Sequence, residues 1–338
     1  MLAQFLQWYH GLTDSLLGAI LIFILGAFLL IKGGDWFVDS AVGIAKKFRV
    51  PELLIGATVV SIGTTLPEVM VSVAAATNGN GAIAYGNGIG SIICNTALIA
   101  ALTVAIRPAR IQRSSIIQPV IFFFVALAVY MVGAYVLGSF NRGLGIALLV
   151  IFGIYLATSI AKTRKSPKDV TEQDTEAPIS LWKNILVLIF SAALIATGAD
   201  MLEGSSVSLA TMARIPAEVV AVTVVALCTS LPELVTAVTA LVKGHSALSL
   251  GNIIGANIFN LVLVTGAAAT ISPFPIPEGS QIAGIPTSLL VEIPLVLVTM
   301  GILTLPCLPK GKLRRWQGIL LLAIYAAFIV MQVCIALR

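Results

Sequence analysis

Two six-residue stretches hold the side chains best suited to chemistry: Gly63-Thr64-Thr65-Leu66-Pro67-Glu68 and Cys228-Thr229-Ser230-Leu231-Pro232-Glu233, each inside an apolar run. Proline lacks an N–H, and its ring clashes with the carbonyl four residues back. Helices here would therefore leave the Gly63 and Cys228 carbonyls without helical partners. Freed carbonyls, a carboxylate beside each proline and hydroxyls one turn away make a set of hard oxygen donors, suited to a hard cation rather than a soft one. An ionised side chain at the bilayer centre costs on the order of 3 kcal/mol by insertion scales. Glu68 and Glu233 must then face each other, water or a cation. Their two charges match one Ca²⁺ or two Na⁺. Calcium takes about six to eight oxygens at roughly 2.3 to 2.6 Å, which two glutamates, two freed carbonyls and nearby amides or waters can supply.

A second set of polar residues follows each motif. Asn87, Ser91 and Asn95 recur at every fourth position and form one stripe on a helix. The matching positions in the second half are Asn252, Ala256 and Asn260. Asn87 and Asn252 suit ligation and interhelical hydrogen bonding equally well. The glycines at 86, 88, 90, 251 and 255 are expected to let helices approach closely. Gly86-x-Gly88-x-Gly90 is no dinucleotide fingerprint, since it follows a helix, and Arg107 and Arg110 stand where the acid would be.

These elements belong to an internal repeat. A shift of 165 positions aligns residues 33 to 95 with 198 to 260 without a gap, with 24 of 63 positions identical. Apolar composition alone would not align Pro, Glu and Asn. Each copy contains five apolar spans, an odd number, so the second enters the membrane from the side opposite to the first. Inverted repeats of this kind characterise secondary transporters, whose binding sites lie near the midplane on interrupted helices.

Composition agrees with a membrane solvent. The chain has 338 residues, of which 10% are charged and 58% hydrophobic, with a mean hydropathy of +1.03. Ten apolar stretches, at about 16 to 38, 51 to 76, 82 to 105, 115 to 137, 143 to 161, 182 to 204, 217 to 242, 246 to 270, 284 to 304 and 316 to 336, are each long enough to span. The expected fold is all-α, with ten transmembrane helices as two inverted five-helix repeats. The first repeat with its N-terminal tail covers 1 to 161, a polar linker 162 to 181, and the second repeat 182 to 338. Strand alternation is absent, which argues against a barrel. Of 20 Lys and Arg residues, 16 fall on the side that includes the linker. The positive-inside rule then places the linker in the cytoplasm and both termini outside, and the expected location is a cell membrane, the inner one where there are two. The first 15 residues lack a basic start and read as an interfacial tail rather than a cleaved signal. The four cysteines show no metal or disulfide spacing. The net charge of +5 is scattered between spans, so nucleic acid is not an expected partner.

The paired motifs resemble the alpha repeats of the cation/calcium exchanger superfamily, nearest its prokaryotic sodium/calcium exchanger-like members. The resemblance implies Ca²⁺/Na⁺ antiport by alternating access, with no enzymatic activity and no cofactor. By position it implies Thr64, Thr65, Glu68, Ser91, Asn95, Thr229, Ser230, Glu233 and Asn260 as ion ligands. Three departures stand out: Cys228 replaces a usual glycine, Ala256 removes a hydroxyl, and Asn260 stands where some relatives carry Asp. The last leaves two acids, which argues against a potassium-dependent subgroup. Competing readings are H⁺/Ca²⁺ exchange, since glutamates also carry protons, a two-acid intramembrane protease, and a passive channel. The protease lacks its usual aspartates, and channels generally build pores from identical subunits. Asp35 and Asp200 also repeat, but near span ends, where capping or a gating helix is the expected role. Glu292 reads as structural. His10 and His245 read as incidental.

Overall fold

The computed structural model describes residues 15–48, 50–108, 111–165, 181–213, 230–278 and 281–336. The tail at 1–14, most of the linker and Thr229 therefore lie outside the described residues, as does the first part of the seventh expected span.

Among the described residues the chain is helical apart from two short antiparallel strand pairs, one between the halves and one local hairpin. In order come α1 (Leu16–Phe48), α2 (Glu52–Thr77), α3 (Gly81–Ile106), α4 (Arg113–Leu137), α5 (Arg142–Lys165), α6 (Leu181–Met212), α7 (Leu231–Val242), α8 (Ser246–Ile271), α9 (Ser288–Pro309) and α10 (Arg315–Ala336). Among the described residues, all but α7 are long and apolar enough to span a membrane. The α2–α3 turn at Gly79 (φ +80°) and the α7–α8 turn at Gly244 (φ +90°) occupy repeat-equivalent positions. Both need a left-handed residue to end a helix, and only glycine takes that conformation without strain.

The core is formed by the third helix of each repeat. The most apolar stretch of α8 is 89% buried and that of α3 is 72%, whereas that of α10 is 11% buried and presents its apolar side chains to lipid. Both helices widen into a π-helical turn at equivalent positions, Asn95–Ala100 and Asn260–Val264. Such bulges free backbone groups from the regular ladder and cluster at functional sites. A third π-turn, Gly56–Val60, interrupts α2 one turn before the first proline motif.

α1 and α6 outrun the expected spans. Their apolar runs end near residues 38 and 204, yet the helices continue to Phe48 and Met212. Polar residues end the apolar run without ending the helix, and Lys46 and Lys47 suit the negative end of α1. The two helices cross closely through small residues. A Cβ built on Gly26 would lie 2.9 Å from the Gly198 carbonyl oxygen, and one on Gly198 would lie 2.7 Å from that of Gly26. Two strands of two residues join the halves, pairing Ser139 with Pro275 and Phe140 with Phe274. Phe140 packs at a tilt against Phe274 and Tyr130 there, with ring centroids 5.2 and 4.6 Å away.

Candidate functional site

Pro67 lies inside the helix that runs from Ser61 to Thr77, so the carbonyl of Gly63 has no N–H four residues on. In the second motif the described helix starts at Leu231. This places Pro232 in its first turn and Glu233 where the helix dipole favours a carboxylate. The two motifs meet across the repeats. Pro67 and Pro232 border the same cavity, and Glu233 is close enough to Glu68 for the two charges to repel. Thr64 adjoins the Glu233 carboxylate.

The eight described candidates are all buried. Thr65, Asn95, Ser230, Glu233 and Asn260 are at 0% exposure, with Thr64, Glu68 and Ser91 at 2 to 3%. Seven of them share a second property. The hydroxyls of Thr65, Ser91 and Ser230, both oxygens of Glu68 and Glu233, and both polar atoms of Asn95 and Asn260 make no hydrogen bond among the described residues. The eighth, Thr64, makes two long ones, at 3.5 Å to the Ser61 carbonyl and 3.4 Å to Asn252 Oδ1. Buried polar atoms are normally satisfied, and each orphan costs about 1 to 3 kcal/mol. Seven candidates with orphaned buried atoms, two of them carboxylates, form a set of polar groups that folding alone leaves unsatisfied. A dehydrated cation would satisfy the oxygens of this set, though not the amide nitrogens of Asn95 and Asn260. No group of three or more His, Cys, Asp or Glu side chains forms among the described residues. That leaves a donor set of two acids, hydroxyls and amides.

The neighbouring asparagines serve a different purpose. Asn87 donates to the Glu68 carbonyl at 3.1 Å and to Ser72 at 2.8 Å, and so fixes the backbone of the first acid. Asn252 donates to Thr236 at 2.8 Å, and its side-chain oxygen accepts from Ser61 and Thr64 of the opposite repeat. Their amide N–H groups are spent on helix-to-helix bonds. Thr236 in turn donates to the carbonyls of Pro232 and Glu233 at 2.8 and 3.1 Å. Asn257, which the sequence reading passed over, donates to Thr96 at 2.7 Å and ties α8 to α3 beside the two π-turns. Its offset of three residues from Asn260 on one helix face was the available signal.

The glycines divide by repeat. A Cβ on Gly251 would lie 2.2 Å from the Leu53 carbonyl oxygen, and one on Gly255 would lie 2.2 Å from Ser61 Oγ, so α2 and α8 touch backbone to backbone. Gly86 and Gly90, their repeat equivalents, have nothing within 4 Å of such an atom among the described residues. The expectation of close approach holds for Gly251 and Gly255 and is corrected for Gly86 and Gly90, which face open space.

The remaining acids are also placed. Lys243 pairs with Asp35 at 3.4 Å and Asp39 at 2.8 Å, and it donates to the Asp35 carbonyl at 2.9 Å. Asp35 therefore takes part in a contact between α1 and the end of α7. Asp200 lines the cavity that reaches Glu68. Glu292 accepts from Gln332 at 3.3 Å, in keeping with a structural role. His245 is not incidental: its Nδ1 lies 2.8 Å from Glu52 Oε1.

The sequence matches the family model for the sodium/calcium exchanger protein over residues 18–161 and 183–334. It is 32% identical over 305 residues to the uncharacterized membrane protein MJ0091 of Methanocaldococcus jannaschii, covering 90% of this chain and 94% of that one. It is 30% identical over 353 residues to the sodium/calcium exchanger MaX1 of Methanosarcina acetivorans, covering 92% and 97%. The structure of the sodium-calcium exchanger NCX_Mj soaked with Na⁺ and Ca²⁺ superposes with a TM-score of 0.78 at 29% identity, covering 92% of this chain and 97% of that one.

Proposed function

The chain belongs to the sodium/calcium exchanger family, and from that premise we propose that it exchanges Ca²⁺ for Na⁺ across a cell membrane by alternating access. Glu68 and Glu233 are the paired carboxylates of the Ca²⁺ position. Thr64, Thr65, Ser91, Asn95, Thr229, Ser230 and Asn260 complete the oxygen shell for Ca²⁺ and Na⁺. The observation that carries this reading is the set of buried side-chain oxygens without hydrogen-bond partners, those of the two glutamates included. Two carboxylates neutralise one divalent ion or two monovalent ions, so the same site alternates between cargoes without a large change in net charge. The two repeats, 1 to 161 and 182 to 338, act as the moving units, joined by a cytoplasmic linker, with both termini outside.

The test is transport in proteoliposomes. An outward Na⁺ gradient should drive ⁴⁵Ca²⁺ uptake, and collapsing that gradient should stop it. Uptake that follows a pH gradient alone would replace Na⁺ by H⁺ as the counter-ion. Uptake indifferent to both would overturn the exchange mechanism.

A further inference from the structure

Asp200 and Glu203 stand one helical turn apart on α6 and share a face. With Pro67, Glu68, Asn87 and Pro232 they line a cavity of 110 Å³. At about 10 to 15 Å³ per water-sized probe, it holds several waters or a partly hydrated ion. Asp200 is exposed and Glu203 half-buried, and the two are close enough to repel. Among the described residues neither joins an ion pair. Asp200 lies 19 residues beyond the start of α6, or about 28 Å along its axis at 1.5 Å per residue, close to one hydrocarbon thickness. Glu68, another lining residue, is 2% exposed, with both carboxylate oxygens buried and unpartnered among the described residues.

That depth along α6 puts the two acids at the outer end of the span, where water reaches Asp200 and the cavity leads inward toward Glu68. Two carboxylates on the wall of a cavity that also reaches the buried Glu68 focus the field and raise the local concentration of cations, most strongly of divalent ones. We infer that Asp200 and Glu203 form an outer recruitment site for Ca²⁺, which holds the ion with part of its water shell before transfer to Glu68. This rests on the exchange reading given above. The repeat hides half of the site. Asp200 matches Asp35, but Glu203 matches Val38, so the second acid belongs to one side of the molecule only.

Two measurements on the full-length protein test it. In proteoliposomes, Asp200→Asn/Glu203→Gln should raise the KM for Ca²⁺ about tenfold when the ion is presented at the face where α6 ends, with Vmax unchanged. The parental KM should climb with ionic strength and that of the double variant should not. An unchanged KM, or a fall in Vmax alone, would overturn the recruitment role while leaving exchange intact. The second measurement does not depend on transport. Mn²⁺, used as a paramagnetic stand-in, is titrated into purified protein carrying Glu68→Gln and Glu233→Gln and followed by electron paramagnetic resonance. One weak site should remain, and adding Asp200→Asn/Glu203→Gln should abolish it. If no weak site remains, the inference fails even where exchange is demonstrated. If the weak site is present and the parental protein does not exchange, the failure belongs to the exchange reading. Size-exclusion profiles matching the parental protein establish that the variants fold.

Discussion

The two halves of the molecule agree at the centre and differ at the rims. At the centre, Glu68 and Glu233, Asn95 and Asn260, and the two π-turns that begin at those asparagines are repeat-equivalent. At the rims the same alignment pairs Lys243 with Asn78, His245 with Asn80, Asp39 with Gly204 and Glu52 with Ala217. One side of the protein is therefore held by Lys243 on Asp35 and Asp39 and by His245 on Glu52. On the other side the alignment keeps only one of these charges, Asp200 in place of Asp35, and it opens onto the cavity. The difference separates two demands. Under the proposed exchange, ion coordination requires similar donors whichever side is open, and both copies keep most of them, with Ser91 against Ala256 as the exception. The preference between the two openings requires a bias, and a bias exists only where the copies differ.

The strongest way to break this comparison is to remove one of its shared features. Glu68→Gln and Glu233→Gln keep the side-chain volume and one acceptor oxygen but leave a single negative charge for a divalent ion. Each should lower Ca²⁺ affinity by at least about 100-fold, because oxygen sites are tuned by ligand charge. Equilibrium ⁴⁵Ca²⁺ binding checks this. Near-parental binding in either variant would defeat the paired-carboxylate site.

A smaller effect distinguishes the glycines. Gly251→Ala must push α8 from the Leu53 carbonyl, at a cost of about 1 to 3 kcal/mol, and should lower the thermal midpoint in detergent. Gly86→Ala meets open space and removes a helix-interior glycine, for a gain of up to about 1 kcal/mol. Equal losses from both would mean that the two helices are packed alike after all.

The smallest effect sharpens the contrast at the rims. Part-exposed ion pairs contribute about 1 kcal/mol or less, so Lys243→Gln should speed hydrogen exchange in the turn at residues 243 to 245 by no more than about fivefold. Asn78→Gln should leave the equivalent turn at 78 to 80 unchanged. Mass spectrometry of deuterium uptake reads both turns in one experiment. No change in the lysine variant would remove the clasp from the account.

Much of this was legible in the sequence because membrane burial makes certain residues expensive. An acid beside a proline in an apolar span, present twice, singled out Glu68 and Glu233, and both are buried. The hydropathy runs placed most helix ends within a few residues. They failed for α1 and α6, whose polar ends carry no apolar signal but remain helical. The π-turns leave no compositional mark. The contacts of Lys243 and His245 join residues about 200 positions apart, and only folding reveals them. Glu203 was missed for a different reason: the repeat drew attention to residues that match, and Val38 does not match it.

The crossing of α1 with α6 has a consequence for the surrounding lipid. At 33 and 32 residues, both helices are about 50 Å long at 1.5 Å per residue, against a hydrocarbon core of about 30 Å. Their outer faces, with Leu21, Ile24, Phe28, Leu186 and Phe190, are exposed. Helices longer than the core adjust by tilting or by deforming the bilayer around them. Any rocking of this pair changes how well it fits the thickness of the membrane. The fit of this crossing pair to the bilayer is therefore sensitive to acyl-chain length.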